Sequence, residues 1–207
     1  MDIKPIVAIL SLAFIFTFTW TKDVGIWLKD FTVYSMIIAV SILTQLLFQH
    51  LMCKNIGAKL SYKLWKKGII ISILSPLITN GLLPVPLVGY TEVKTKHPVK
   101  LSRRGSSVTY REESVILLSG VFASIVLALL GSIAGYRDLA RVNATLAVFY
   151  LIPIPNLPGY KVLMWRAGYL LACIIISLLA LVSIHSKVSA LITLILTAIV
   201  IATLKIL

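Results

Sequence analysis

Long apolar runs alternate with short polar stretches along the chain. Six of these runs, over residues 4–20, 32–53, 114–136, 139–157, 164–184 and 187–206, approach the roughly 20 apolar residues a helix needs to cross a bilayer. The first has a single basic residue before it, Lys4, and no small-x-small cleavage site before "TWTKD", so it reads as a span rather than a removable leader. A seventh run, "GIIISILSPLITNGLLPVPLVGY" (68–90), is interrupted by Pro76, Asn80, Gly81, Pro84 and Pro86. That pattern predicts a broken or re-entrant segment rather than a straight helix. The one long polar stretch, 91–113, alternates Val93, Val99, Leu101, Val108 and Tyr110 with polar residues. It predicts short strands or a hairpin around Gly105, Ser106 and Ser107. The expected fold is an all-α polytopic membrane protein forming one domain over 1–207, with six transmembrane helices, the broken segment and a β-like basic loop.

Composition supports this picture. Of 207 residues 59% are hydrophobic and 13% charged, and mean hydropathy is +0.99, whereas soluble domains carry about 25% charged residues. The formal charge of +13 would suggest nucleic acid in a soluble protein, but no aromatic-basic recognition motif accompanies it. Most of the basic residues lie between the apolar runs. With 68–90 re-entrant and both termini cytoplasmic, the groups at 54–67 and 94–111 and Lys161, Arg166 and Lys205 fall inside. Only Lys22, Lys29, Arg137, Arg141 and Lys187 fall outside, the bias expected of an inner-membrane topology. Lys94, Lys96, Lys100, Arg103, Arg104 and Arg111 form a cluster suited to anionic lipid or an acidic partner. Trp20, Trp27, Trp65 and Trp165 fall near span ends, where aromatic side chains anchor at the interface.

Candidate chemistry is sparse. All seven acids, Asp2, Asp23, Asp30, Glu92, Glu112, Glu113 and Asp138, fall in loops or at span ends, and transporters of ions or protons normally embed such groups. His97 and His185 are in loops; His50 and Cys53 alone approach one another near a span. Catalytic zinc takes three protein ligands, so no metal and no cofactor are expected. Ser119, Ser124 and Ser132 have no basic partner beside them and read as close-packing positions, as do Gly120, Gly131 and Gly135. The conspicuous embedded polar pair is Gln45 and Gln49 in "ILTQLLFQHLM", four apart and so on one helix face.

The stretch "NATLAVFYLIPIPNLPGYKVLMWR" (143–166) resembles the N-x-x-P-x-P-x-L-D-G-type signature of the site-2 protease family, intramembrane zinc metalloproteases, in its archaeal branch. The match includes Asn143, Leu146, Ala147, Phe149, Pro153, Pro155, Leu157, Gly159, Lys161 and Trp165. The family's zinc-binding aspartate falls on Pro158. "QLLFQHLMCKNIGAKL" (45–60) resembles the family's H-E-x-x-H helix, with Gly57 in the place of its glycine. Gln45 and Gln49 then stand for the two histidines and Leu46 for the catalytic glutamate. A register one residue later makes His50 the second histidine and Leu46 the first, still without the glutamate. "YREESVILLSGVFASIVLALLG" (110–131) is similar to the setting of a G-P-x-x-N run, with Gly120 kept, Val121 for the proline and Ser124 for the substrate-holding asparagine.

The resemblance implies a protease-like core over 32–158, with 4–20, 164–184 and 187–206 as peripheral helices. It also implies a pseudoprotease without catalytic residues, acting as a binder, scaffold or accessory subunit of another membrane protein or complex in the cell membrane. Two alternatives stand beside it: an active protease with ligands reassigned to His50, Cys53 and a partner, and an anchor whose basic loop binds anionic lipid or an acidic partner. For the glutamines, the expectation is a polar plug. In it Gln45, Gln49 and Asn156 satisfy carbonyls that Pro153, Pro155 and Pro158 leave unpaired.

Overall fold

The computed structural model describes residues 3–19, 23–95 and 108–206. They form mostly helix: α1 (Ile3–Thr17), α2 (Val24–Ile56), α3 (Lys66–Thr79), α4 (Tyr110–Ala134), α5 (Arg137–Tyr150), α6 (Pro158–Trp165), α7 (Ala167–Val182) and α8 (Lys187–Ile206). Two strands, β1 (Ala58–Leu64) and β2 (Gly89–Thr95), pair antiparallel with Leu64 opposite Gly89 and Ala58 opposite Thr95.

Local signals account for the breaks. Gly57, at φ 76°, closes α2 in the left-handed conformation that glycine adopts without steric cost. Thr109 opens α4 through a capping box with Glu112: each residue's side chain accepts from the other's backbone N–H. Pro158 sits in the first turn of α6, where its missing N–H costs no helix bond. Between α5 and α6 the residues 151–157 leave the helix, carrying Pro153 and Pro155.

The sequence-based expectations need four corrections. Six separate spans are not supported. Among the described residues α2 and α4 are long and apolar enough to cross a membrane unaided, while the apolar parts of α1, α7 and α8 are shorter. The run 139–157 is not one helix, because its prolines stop α5 at Tyr150. The start of the polar stretch is strand, as its alternation predicts, but β2 pairs with β1, a strand the apolar pattern did not reveal. Residues 110–113, read as part of the alternation, are the first turn of α4. The expected turn at Gly105, Ser106 and Ser107 lies outside the described residues.

The interrupted run 68–90 has a definite course. Helix α3 leads away from β1 and ends at Asn80 in a left-handed cap, and an extended segment returns to β2. The Trp65 N–H donates to the Val88 carbonyl at 2.9 Å, so the excursion begins and ends at the same place. Ser72 Oγ on α3 accepts from the Leu87 N–H at 2.8 Å, tying the returning chain to the outgoing helix.

Two apolar clusters hold the bundle together. One joins α4, α5, α6, α7 and α8 through Leu118, Phe122, Ala147, Val162, Ile176 and Ala190. The other joins α1, α2 and α5 through Leu12, Ile15, Ile38, Ile42 and Leu146. Outside these clusters the distribution of polarity is inverted. Met36, Leu43, Leu47, Ile78, Leu171 and Ile195 are all more than half exposed, while Gln45, Gln49, Ser124, Asn143 and Ser41 are buried.

Candidate functional site

Helices α2 and α4 run antiparallel with their polar groups facing one another. Gln45, buried on the inner face of α2, donates through Nε2 to Ser124 Oγ of α4. Ser124 in turn donates to the Gly120 carbonyl at 3.3 Å. One turn along, Gln49 Nε2 donates to the Leu117 carbonyl at 3.4 Å. A Cβ at position 120 would lie 2.5 Å from Gln49 Nε2. Glycine there lets the amide lie against the α4 backbone. Gln49 Oε1 is buried and has no hydrogen-bond partner among the described residues.

Both glutamines face a small cavity of about 20 Å³, room for about one water molecule. Its lining also includes Ile42, Leu46, Tyr62 of β1, Gly89, Tyr90 and Thr91 of β2, Tyr150 of α5 and Pro158 of α6. Gln45, Leu46 and Gln49 therefore share one cavity with Pro158, more than a hundred residues further along the chain, and Ser124 is bonded to Gln45 at its edge. Burial, and secondarily the neighbouring Tyr150, push the Tyr62 hydroxyl above its ordinary pKa. It stands by the cavity as a neutral phenol, a group able to donate a hydrogen bond.

The polar network differs from the expected plug. The amides bond to α4, not to the proline-rich turn. That turn closes on itself, with the Ile154 N–H on the Ile152 carbonyl and the Leu157 N–H on the Ile154 carbonyl. Asn156 is exposed, at φ 82°, and takes no part in the network. The compactness of this turn rests on Gly159, where a Cβ would lie 2.1 Å from the Leu151 carbonyl oxygen.

A zinc ion does not fit this donor set. Zinc takes thiolate, imidazole and carboxylate ligands, while the cavity offers amides, phenols and hydrocarbon. No three His, Cys, Asp or Glu side chains converge among the described residues. His50 is exposed on α2 while Cys53 is buried, so the reassigned pair does not face one site.

Sequence reasoning missed several contributors. Tyr62, Tyr90 and Thr91 reach the cavity only because β1 and β2 pair. Asn143, matched above only as part of the signature, is fully buried. Its Nδ2 donates to Ser41 Oγ and to the Leu139 carbonyl, both at 2.9 Å. An isolated amide inside an apolar run was the available signal for it.

Of the basic cluster, Lys94 and Arg111 lie within the described residues, and Lys96, Lys100, Arg103 and Arg104 lie outside them. Lys94 and Lys63 flank Glu92 across the sheet, at 3.3 and 2.8 Å. The hydrogen bond from Lys63 holds the Glu92 carboxyl below the usual carboxylate range. Arg111 is exposed in the first turn of α4. The chain matches no family model, no curated protein and no solved structure.

Proposed function

We propose that this chain is a multi-pass integral membrane protein, a catalytically silent relative of the site-2 protease family, and that it binds, scaffolds or serves as an accessory subunit for other membrane proteins. The membrane placement draws support from the inverted surface: apolar side chains of α2, α3, α7 and α8 point outward while amides and hydroxyls are enclosed. Contiguous apolar surface of this kind marks a membrane or a partner. In this reading α1, α5 with the turn that follows it, α7 and α8 cross as parts of a packed bundle, 68–90 enters and leaves on one side, and both termini are cytoplasmic.

One observation carries the family reading. The positions that the resemblance assigns to two ligand histidines, the general base and the ligand aspartate line a single cavity, although no local pattern brings Pro158 to the α2 face that carries the other three. Their side chains supply neither a base nor a zinc ligand set. The scaffold is thus arranged for chemistry whose reacting groups have been replaced by a hydrogen-bonded contact between α2 and α4.

Elemental analysis after chelator-free detergent purification tests this reading. The expected result is far less than one zinc per chain; a value near one would return the protein to the active metalloproteases. For the accessory role, native electrophoresis of the solubilised chain should place it well above its own 22.8 kDa plus the micelle. Migration as a bare monomer counts against that role.

A further inference from the structure

A second concavity lies on the outer side of the α2–α4 contact. It measures about 510 Å³ and is lined by Thr44, Phe48 and Met52 of α2 and by a face of α4 that includes Val115, Phe122 and Leu130, closed by Ile201 of α8. Its two hydroxyl-bearing residues present little polarity to an occupant. Thr44 Oγ1 donates to the Val40 carbonyl at 2.8 Å, and Ser119 Oγ donates to the Ile116 carbonyl at 2.7 Å. The lining spans about 12 Å along α2 and about 22 Å along α4 at 1.5 Å per residue. This brackets the roughly 15 Å depth of one leaflet, half the hydrocarbon thickness, and falls short of the full span a transmembrane partner helix would follow.

The groove has a charged end. At Val115 it adjoins a further concavity lined by Ile56, Thr109, Arg111 and Glu112. The acids on this rim are already engaged: Glu112 accepts from Thr109 in the capping box, and Glu113 pairs with Lys161 at 3.0 Å. Arg111 is left exposed beside the opening. A leaflet-deep apolar groove ending at a guanidinium on a helix N-terminus complements one kind of molecule in both shape and charge. We propose that this groove binds an anionic phospholipid, with an acyl chain between α2 and α4 and its phosphate at Arg111. The inference rests on the membrane reading given above.

Native mass spectrometry of the full chain, released from detergent containing equal phosphatidylglycerol and phosphatidylcholine, tests it. The wild type should retain one phosphatidylglycerol about tenfold over phosphatidylcholine. Arg111→Gln should bring that preference close to one, and Ser119→Phe, which fills the groove, should lower retention of both lipids. Thr44→Phe, from the opposite wall, should repeat the Ser119→Phe result and guards against a folding defect in either variant. Equal retention of the two lipids by the wild type overturns the proposal. So does retention that neither groove variant changes, or a lipid-free dimer that Ser119→Phe dissolves, which would assign the groove to a second copy. Alkaline carbonate treatment of the chain in phosphatidylcholine vesicles separates the two levels. Release from the vesicles sinks the membrane reading together with the site, whereas retention in the bilayer without lipid preference sinks the site alone.

Discussion

Ser124 receives a hydrogen bond from Gln45 and passes one to the Gly120 carbonyl, so its removal strands a buried amide. Ser124→Ala is expected to destabilise the domain by about 1–3 kcal/mol, the cost of an unsatisfied buried polar group. Gln45→Leu should cost less, because Ser124 keeps its bond to Gly120. The double variant should recover part of the loss, a coupling that a double-mutant cycle of detergent unfolding would measure. Additive losses would mean that the two side chains are independent. Gly120→Ala acts on the neighbouring amide by steric exclusion, and overpacking of this kind typically costs about 1–3 kcal/mol. The pairing of Gln45 with Gln49 on one face was legible from their spacing. Their partners were not, since residues 117–124 lie about seventy positions away and nothing local specifies which helix will face α2.

At the scale of elements, the sheet and the proline turn hold the cavity's two sides. The β1–β2 pair carries an ion triad in which Lys63 and Lys94 flank Glu92. Glu92 has a lowered folded-state pKa, so its contribution is present above the ordinary carboxylate range and is lost as pH falls through the folded value. Lys63 has a raised one, mainly through its hydrogen bond to Glu92. Its contribution is present below the ordinary lysine range and is lost as pH rises through the folded value. Protection of the strand amides against exchange, corrected for the intrinsic pH dependence, should therefore fall at both extremes. Glu92→Gln should flatten the acid side; an unchanged acid limb would show that the triad does not hold the strands. The turn offers a harsher test. Gly159→Ala drives a methyl into the Leu151 carbonyl and should lower the unfolding midpoint clearly, at about 1–3 kcal/mol. Pro153, Pro155 and Gly159 carry the local signal for a break at 151–159, although the apolar run 139–157 reads as one span. Strand β1 escaped because "AKLSYKL" alternates only weakly and its pairing partner begins twenty-five residues after it ends.

Over the whole molecule, α2 is the test of orientation. Its 33 residues extend about 50 Å at 1.5 Å per residue, well beyond a hydrocarbon core of about 30 Å, so its two ends should emerge on opposite sides. Gly25 has open space around it and Asn55 is exposed, while the native Cys53 and Cys173 are buried. In right-side-out vesicles an impermeant maleimide should label Gly25→Cys from outside and Asn55→Cys only after permeabilisation. Labelling of both from one side would mean that α2 does not cross. The described basic residues Lys54, Lys59, Arg111 and Lys161 gather where α2 ends and α4 begins, and Arg137 and Arg141 lie where α4 gives way to α5.

The chain by itself determined its apolar character, its helical content, the sites of its breaks and the poverty of its ionisable chemistry. Each of these follows from side-chain type and short-range backbone preference, which act over a few residues. Tertiary structure alone decided that β2 pairs with β1, that the glutamines bond to α4 and that Asn156 stays outside. Those outcomes depend on which surfaces pack together. Here they turn on close approaches at Gly120 and Gly159 that no local pattern encodes, because the groups that meet there come from distant parts of the sequence.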